Sequence, residues 1–399
     1  MSSEQTEREA PTRRDYIRYG GAVVAGGFFA GCSSDNSTPG TDSTDTGAAT
    51  STETRTTTEG ESSTVEMAPV GEVTFESTPR TWLPYGGDYA DMGVALGRAD
   101  GMLGIGQAGE YYTDPYEELP GVSVDEDEIA ANDLVEAGMS KELFYELDSD
   151  VHVIDPGMLR NWFDWSDGDI REIRENVAPF LGNMIFRRSD SWHDYRYYTL
   201  YQAFEKMAAL FGERDRFEAL KSLHDEFIAD VQSRLPPAAE RPNVFLTYEG
   251  KDEPETFSPY RLNDAGTSKK QWNDLGVSDA LAGTGIENLS TENRGELDYE
   301  NLLTIDPDVL LIRGHEDKSA AEFRDVVLGY MEEHPVASEL TAVQNRRVYR
   351  GGYLRQGPIH NLFLTERAAK QLYPDVFGEV TADERLFDRQ RVADIVNGA

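Results

Sequence analysis

Four places in the chain combine guanidinium and aromatic side chains: Trp82 with Tyr85, Arg187 with Arg188, Tyr260 with Arg261, and Tyr353 with Arg355. A guanidinium fork makes paired hydrogen bonds to oxygen anions, and an aromatic face holds organic arms or a cation. Together these eight residues suit the capture of an anionic or polar metal chelate, and they are the expected ligand-binding residues. Each has a plainer use when taken alone, since loop arginines pair with nearby carboxylates and tyrosine or tryptophan covers a core edge. The six histidines are a weaker lead: His193, His315, His334 and His360 are scattered singles without i, i+4 spacing or paired cysteines. No protein-built metal site is expected from them.

Gly104-Ile105-Gly106-Gln107-Ala108-Gly109 fits G-x-G-x-x-G and follows an apolar run. A dinucleotide site needs a helix to open at that point, yet Glu110–Pro115 reads as a loop. No nucleophile elbow, P-loop or zinc-protease motif stands in the sequence, so neither catalysis nor a cofactor is expected.

The elements that must position these groups form two sets. Val70–Phe75, Met102–Ile105 and Val151–Ile154 read as strands, with Tyr89–Leu96 and Lys141–Leu147 as helices between them. A second set has strands at Asn243–Tyr248, Val309–Ile312 and Arg347–Tyr349, and helices at Ser268–Leu275, Tyr299–Leu303 and His360–Leu372. Alternation of this kind predicts α/β lobes with ligands at the C-terminal ends of the strands. Between the sets run two helical stretches, Tyr198–Phe211 and Asp215–Leu235. In the second, Phe217, Leu220, Leu223, Phe227, Ile228, Val231 and Leu235 recur at three- and four-residue steps. A helix joining two lobes predicts a stiff spine and small lobe movements.

The ends and the charge bear on location. Thr12-Arg13-Arg14-Asp15-Tyr16-Ile17-Arg18 is a twin-arginine motif, followed by an apolar stretch from Gly20 to Ala30 that is too short to span a bilayer. It ends in Phe29-Ala30-Gly31-Cys32, which resembles a lipobox, and Cys32 is the only cysteine in 399 residues. Lipidation of Cys32 is expected, followed by a Ser/Thr-rich tether. The net charge is −37, from 74 acidic and 37 basic residues, the latter mostly arginine. That balance excludes nucleic acid as a partner and suits concentrated salt, where the Debye length shrinks to about 3 Å. An acidic, lysine-poor chain behind a twin-arginine lipoprotein signal points to a halophilic archaeal type. A content of 39% hydrophobic and 10% aromatic residues excludes a wholly disordered chain.

Several segments resemble the ABC-importer binding proteins whose lobes are joined by one long helix, the ferric-siderophore, haem and cobalamin binders. They are Pro79-Arg80, then Ala90-Asp91-Met92-Gly93-Val94-Ala95-Leu96-Gly97 with Met102–Gly106; Asn301–Ile312 around Pro307-Asp308; Val343-Gln344-Asn345-Arg346-Arg347-Val348-Tyr349; and Leu372-Tyr373-Pro374-Asp375-Val376-Phe377. The likeness covers about residues 70–380. It departs at the aromatic and glycine-rich Thr81–Asp88 and at an insertion-like stretch, Pro156–Arg196. The resemblance implies a class III fold of two Rossmann-like lobes, permease docking through an acidic residue on each lobe (here Asp91, with Asp274 as candidate), and no enzymatic activity.

The expected organisation is therefore a signal (1–32), a disordered tether (33–69), a first α/β lobe (70–212), an interlobe helix (213–237) and a second α/β lobe with terminal helices (238–399). The expected function is an extracytoplasmic, lipid-anchored monomer that binds a ferric siderophore or related iron chelate and delivers it to a permease and its ATPase. A cobalamin or haem receptor is the nearest alternative, and a secreted enzyme on a two-lobed fold is the alternative from another class.

Overall fold

In the computed structural model, residues 62–264, 266–286, 295–380 and 385–399 are described. The twin-arginine motif, Cys32 and the tether up to residue 61 lie outside them. Within the stretch read as tether, Ser63–Met67 (β1) pairs antiparallel with Gly71–Phe75 (β2), with Val65 opposite Val73. The period-2 pattern turns Val65 and Met67 into the core, and the Ala68 amide donates to the Tyr198 hydroxyl at 3.0 Å. The expected extent of the tether, 33–69, is thereby corrected for residues 63–69, which belong to this strand pair and its turn.

The first lobe is built on Trp82–Pro84 (β3), Gly87–Ala95 (α1), Lys141–Leu147 (α2) and Val151–Val153 (β4), with β3 and β4 parallel. The expected strand at Met102–Ile105 is present as two isolated parallel bridges, Trp82 to Met102 and Ile105 to Asp133. Glycine breaks up the ladder here: a Cβ at Gly104 would stand 2.5 Å from the Asn132 carbonyl oxygen, and one at Gly106 2.3 Å from that of Tyr85. Bare backbone fits where a side chain does not.

Leu200–Phe211 (α3) opens with a capping box from Thr199 and Gln202, and Arg214–Arg234 (α4) is the interlobe spine. At 1.5 Å per residue α4 is about 31 Å long. Phe217, Leu220, Leu223, Phe227 and Val231 are its buried face. Each such side chain contributes about 1.5–3 kcal/mol by leaving water, which holds the spine against its neighbours rather than letting it flex.

The second lobe follows with Asn243–Tyr248 (β5), Ser258–Tyr260 (β6), Lys270–Asp274 (α5), Ser278–Asp279 (β7), Tyr299–Ile305 (α6), Val309–Arg313 (β8), Val348–Arg350 (β9) and Pro358–Leu372 (α7). The sheet order is β6-β5-β8-β9, with β7 alongside β5; β5, β8 and β9 run parallel and β6 antiparallel. All five residues of β8 are buried, as a strand covered on both faces requires. Two α/β lobes joined by one long helix are the architecture the alternation predicts.

The last helix, Arg389–Asn397 (α8), departs from the expected division. It packs on α1 and α4, and Arg216 in α4 donates to the Ile395 carbonyl at 3.2 Å and to the Leu96 carbonyl at 3.0 Å. Asn397 reaches the Pro120 carbonyl at 3.0 Å. The chain end thus returns to the first lobe, because the apolar stripe of Val392, Ala393 and Val396 finds its partners there.

Candidate functional site

The parallel strands β5, β8 and β9 end at one edge of the second lobe, and loops of the first lobe face that edge. Between them lies a cavity of about 360 Å³. The first lobe contributes Gly109, Glu110 and Tyr112; Tyr248 and Arg313 are the last residues of β5 and β8; Gly314, Glu316 and Asp317 follow β8, and Gly352 and Leu354 follow β9. Ligands gather at such strand ends because the sheet leaves a crevice there and the loops are free to vary. The volume lies at the low end of the usual range for small-molecule sites.

Polar groups in the wall are held from behind. The Glu316 carboxylate accepts from Arg367 at 2.8 and 3.1 Å and from the Gly352 amide at 2.8 Å. Burial alone would raise its carboxyl, but the Arg367 and Arg350 charges and these hydrogen bonds outweigh burial and hold it below the usual carboxylate range. Arg313 donates from Nε to the Gly351 carbonyl at 3.2 Å and from Nη2 to the Ser268 carbonyl, with its guanidinium carbon 5.3 Å from the Tyr260 ring centre. Tyr112 stacks on Tyr353 across the lobes at 4.5 Å and 14°. Burial, then the Glu316 charge, pushes the Tyr112 phenol far above its ordinary value, so it stays a neutral donor. Such a wall offers aromatic faces, hydroxyls and carboxylates for binding and orientation. Among the described residues no group of three or more His, Cys, Asp or Glu side chains is placed to hold a metal ion. The Gly104–Gly109 run leads into a single 3-10 turn at Ala108–Glu110, and Gly109 at its end lines the cavity.

None of the eight expected ligand-binding residues lines this cavity. Tyr353 and Arg355 flank Leu354, which does, so the loop is right and the side chains point elsewhere. Arg355 inserts between the rings of Tyr85 and Phe186, 4.6 and 4.2 Å from their centres, and donates to Gln107 Oε1 at 3.2 Å. Tyr85 and Arg355 do come together, as a strut between the lobes. Arg187 is buried and grips Asp190 at 2.5 and 2.6 Å, whereas Arg188 is exposed over Tyr197. Arg261 is bound to Asp279 at 2.9 Å and to the Ile286 carbonyl, and Tyr260 is buried beneath Arg313 and Lys269. Trp82 is a core residue: its ring meets Phe211 edge-on at 5.6 Å, its indole donates to the Arg98 carbonyl, and it fills the space a Cβ on Gly93 would occupy. Of the expected forks, Arg187 and Arg261 are committed to carboxylates, which an acidic chain supplies in plenty, and Arg355 to two aromatic rings. Tyr248 and Arg313 had a usable signal in the sequence, namely their place at the ends of two apolar strands.

The docking expectation for Asp91 is also corrected. Its side chain is 0% exposed and caps α7 from the first lobe, accepting from the Ile359 and His360 amides at 2.8 and 3.2 Å, while the other oxygen accepts from the Tyr116 hydroxyl at 2.8 Å. Gly357 offers α7 no capping side chain, so Asp91 does that work across the lobe boundary. Burial raises its carboxyl, opposed by His360 and these donors. A buried cap is not available to a partner's surface. Asp274 is partly buried and ion-paired with Lys270 one turn earlier, at 2.5 Å.

The lobes are tied at a further point, where the amides of Thr267 and Ser268 donate to the Ile185 and Phe186 carbonyls at 3.0 and 3.2 Å.

Comparison with known proteins bears on what this architecture is. The structure is similar to a periplasmic binding protein from Veillonella parvula (TM-score 0.54, 15% identity, covering 80% of this chain and 93% of that one). It is similar to the haem-binding protein HmuT (TM-score 0.53, 18% identity, 80% and 92%) and to the petrobactin-binding protein YclQ of Bacillus subtilis (TM-score 0.53, 16% identity, 78% and 99%). At such identities the likeness speaks for the class III fold. Among curated protein sequences none matches. The family model described as periplasmic binding protein matches residues 85–352, well over half of the sequence, and the chain belongs to that family.

Proposed function

We propose that this protein is the substrate-binding component of an ABC importer and that it takes up a ferric siderophore or a related iron chelate. The observation that carries the reading is the cavity of about 360 Å³ between the lobes, at the C-terminal ends of β5, β8 and β9, with Tyr112 and Tyr248 in its wall. Its position is where open α/β sheets bind ligands, and a chelate brings its own metal ligands. Haem-binding and petrobactin-binding proteins of similar fold support the same class of ligand. The task is binding and presentation, without turnover.

The remaining parts of the proposal rest on sequence. Export by the twin-arginine route, lipid on Cys32 and residence on the outer face of the membrane follow from residues 12–32, and adaptation to concentrated salt follows from the net charge of −37. A permease with its ATPase receives the ligand from a monomeric receptor. The test is a titration of the folded protein in multimolar KCl with ferric hydroxamates, ferric catecholates, haem and cobalamin, followed by tryptophan fluorescence and native mass spectrometry. Saturable one-to-one binding of a ferric complex is expected; refusal of every metal complex by folded protein would sink the iron reading. Replacing Cys32 by serine is expected to release the protein from the membrane fraction.

A further inference from the structure

Building on the reading of the interlobe cavity as a chelate site, we propose that Tyr353 is a positioning residue of that site, holding the ring of Tyr112 from the opposite lobe so that Tyr112 meets the ligand. Tyr112 lines the cavity and Tyr353 does not, although Gly352 and Leu354 on either side of it do. The two rings lie 4.5 Å apart and 14° from parallel, one contributed by each lobe. The stack therefore exists only while the lobes are docked, and the wall is complete only in that arrangement.

The segment between β9 and α7 brings this about, because its residues alternate in what they touch. Gly352 and Leu354 face the cavity. Tyr353, Arg355 and Gly357 meet the first lobe: Tyr353 stacks on Tyr112, Arg355 lies between Tyr85 and Phe186, and a Cβ at Gly357 would stand 2.5 Å from Asp91 Oδ2 and 2.6 Å from the Asp88 carbonyl oxygen. Gln356 turns back into the second lobe, where it donates to the Thr267 carbonyl at 2.9 Å. One short segment thus lines the cavity and docks on the opposite lobe, so that a cavity residue and a lobe contact are neighbours in the chain.

Tyr353 is the fixed member of the pair. It is buried, the His360 ring meets it edge-on at 5.1 Å and 76°, and the guanidinium of Arg367, itself tied to Glu316, lies 6.0 Å from its ring centre. Tyr112 is held by less. It follows the 3-10 turn at Ala108–Glu110, outside any helix or strand, and among the described residues its side chain makes no hydrogen bond. Tyr111 beside it anchors the same loop, with its hydroxyl donating to that of Tyr116 at 3.1 Å and its ring 5.9 Å from that of His360. The Tyr353 face therefore sets the Tyr112 ring, and the phenol remains a neutral donor for a ligand. Stacked rings attract beyond the area they bury, and a contact residue fixed before binding spares the ligand part of the ordering cost.

The test titrates the full chain in multimolar KCl with ferrioxamine B, ferrichrome, ferric enterobactin and haem, followed by tryptophan fluorescence. Wild type is compared with Tyr353→Phe, Tyr353→Leu, Tyr112→Leu and the double leucine variant on whichever complex the wild type binds. Tyr353→Phe keeps the stack and is expected to bind within about twofold of wild type. Tyr353→Leu should weaken binding about five- to tenfold, the scale of a lost stacked pair, and Tyr112→Leu at least as much. The double variant is expected to lose no more than Tyr112→Leu alone, because Tyr353 acts through Tyr112. Independent roles would instead multiply the losses to about 25- to 100-fold. Should Tyr353→Leu fail to fold, Tyr353→Phe and Tyr112→Leu still decide. Unchanged binding in either single leucine variant, multiplied losses in the double, or a loss of about tenfold in Tyr353→Phe overturns this proposal and leaves the chelate reading standing. Absence of binding by every complex to folded wild type overturns both.

Discussion

Replacing Asp91 by alanine removes the acceptor for three donors at once: two amides at the start of α7 and the Tyr116 hydroxyl. Loss of a helix cap costs about 0.5–2 kcal/mol, and leaving a buried hydroxyl unpaired costs about 1–3 kcal/mol. Because all of these groups are buried, water does not replace the carboxylate easily. The expected destabilisation is about 3 kcal/mol, and at about 2 °C per kcal/mol for a chain of this size the midpoint of unfolding drops by about 6 °C. Asp91→Asn keeps an oxygen for the helix amides and should cost under about 1 kcal/mol. The assay is thermal unfolding by circular dichroism in multimolar KCl, with the wild type and both variants compared at the same salt. If Asp91→Ala unfolds within about 1 °C of the wild type, the carboxylate is not a buried cap, and its assignment to partner docking would have to be restored.

Three further outcomes are expected. His152 is buried between Phe144 and Phe180 and burial lowers its pKa to about 3, so it stays neutral while the unfolded chain protonates near pH 6.5. Its share of stability is complete above pH 6.5 and is lost below it at up to about 1.4 kcal/mol per pH unit; His152→Leu should flatten that slope in denaturant titrations between pH 7 and about pH 5. A Cβ at Gly109 meets nothing within 4 Å, so Gly109→Phe is expected to fill the cavity, abolish chelate binding in the fluorescence titration, and leave the unfolding midpoint unchanged. Arg367→Met leaves Glu316 buried without its partner and should cost about 3–5 kcal/mol in chemical denaturation, of which adding Glu316→Gln recovers a large part.

Much of the frame could be read along the chain. The lengths and apolar periods of Lys141–Leu147, Asn243–Tyr248 and the spine helix are local properties, set by side chains three, four or two residues apart, and they reappear in the fold almost to the residue. The order of those elements was enough to predict two α/β lobes on a helical spine, and a cavity does lie at the strand ends between them.

What a side chain does at that site was not legible in the same way. Arg261 and Arg355 carry the chemistry expected of ligand forks, but their partners Asp279 and the ring of Phe186 are fixed by packing between segments, and in an acidic chain such partners are plentiful; Arg187 is held by Asp190, only three residues on. Asp91 became a cap because α7, 268 residues later in the chain, begins against α1 with no cap of its own. Local sequence determined the elements, since their energies depend on neighbours along the chain. Only the tertiary structure decided which polar groups face the cavity, since that depends on which donors and acceptors distant segments bring to one another.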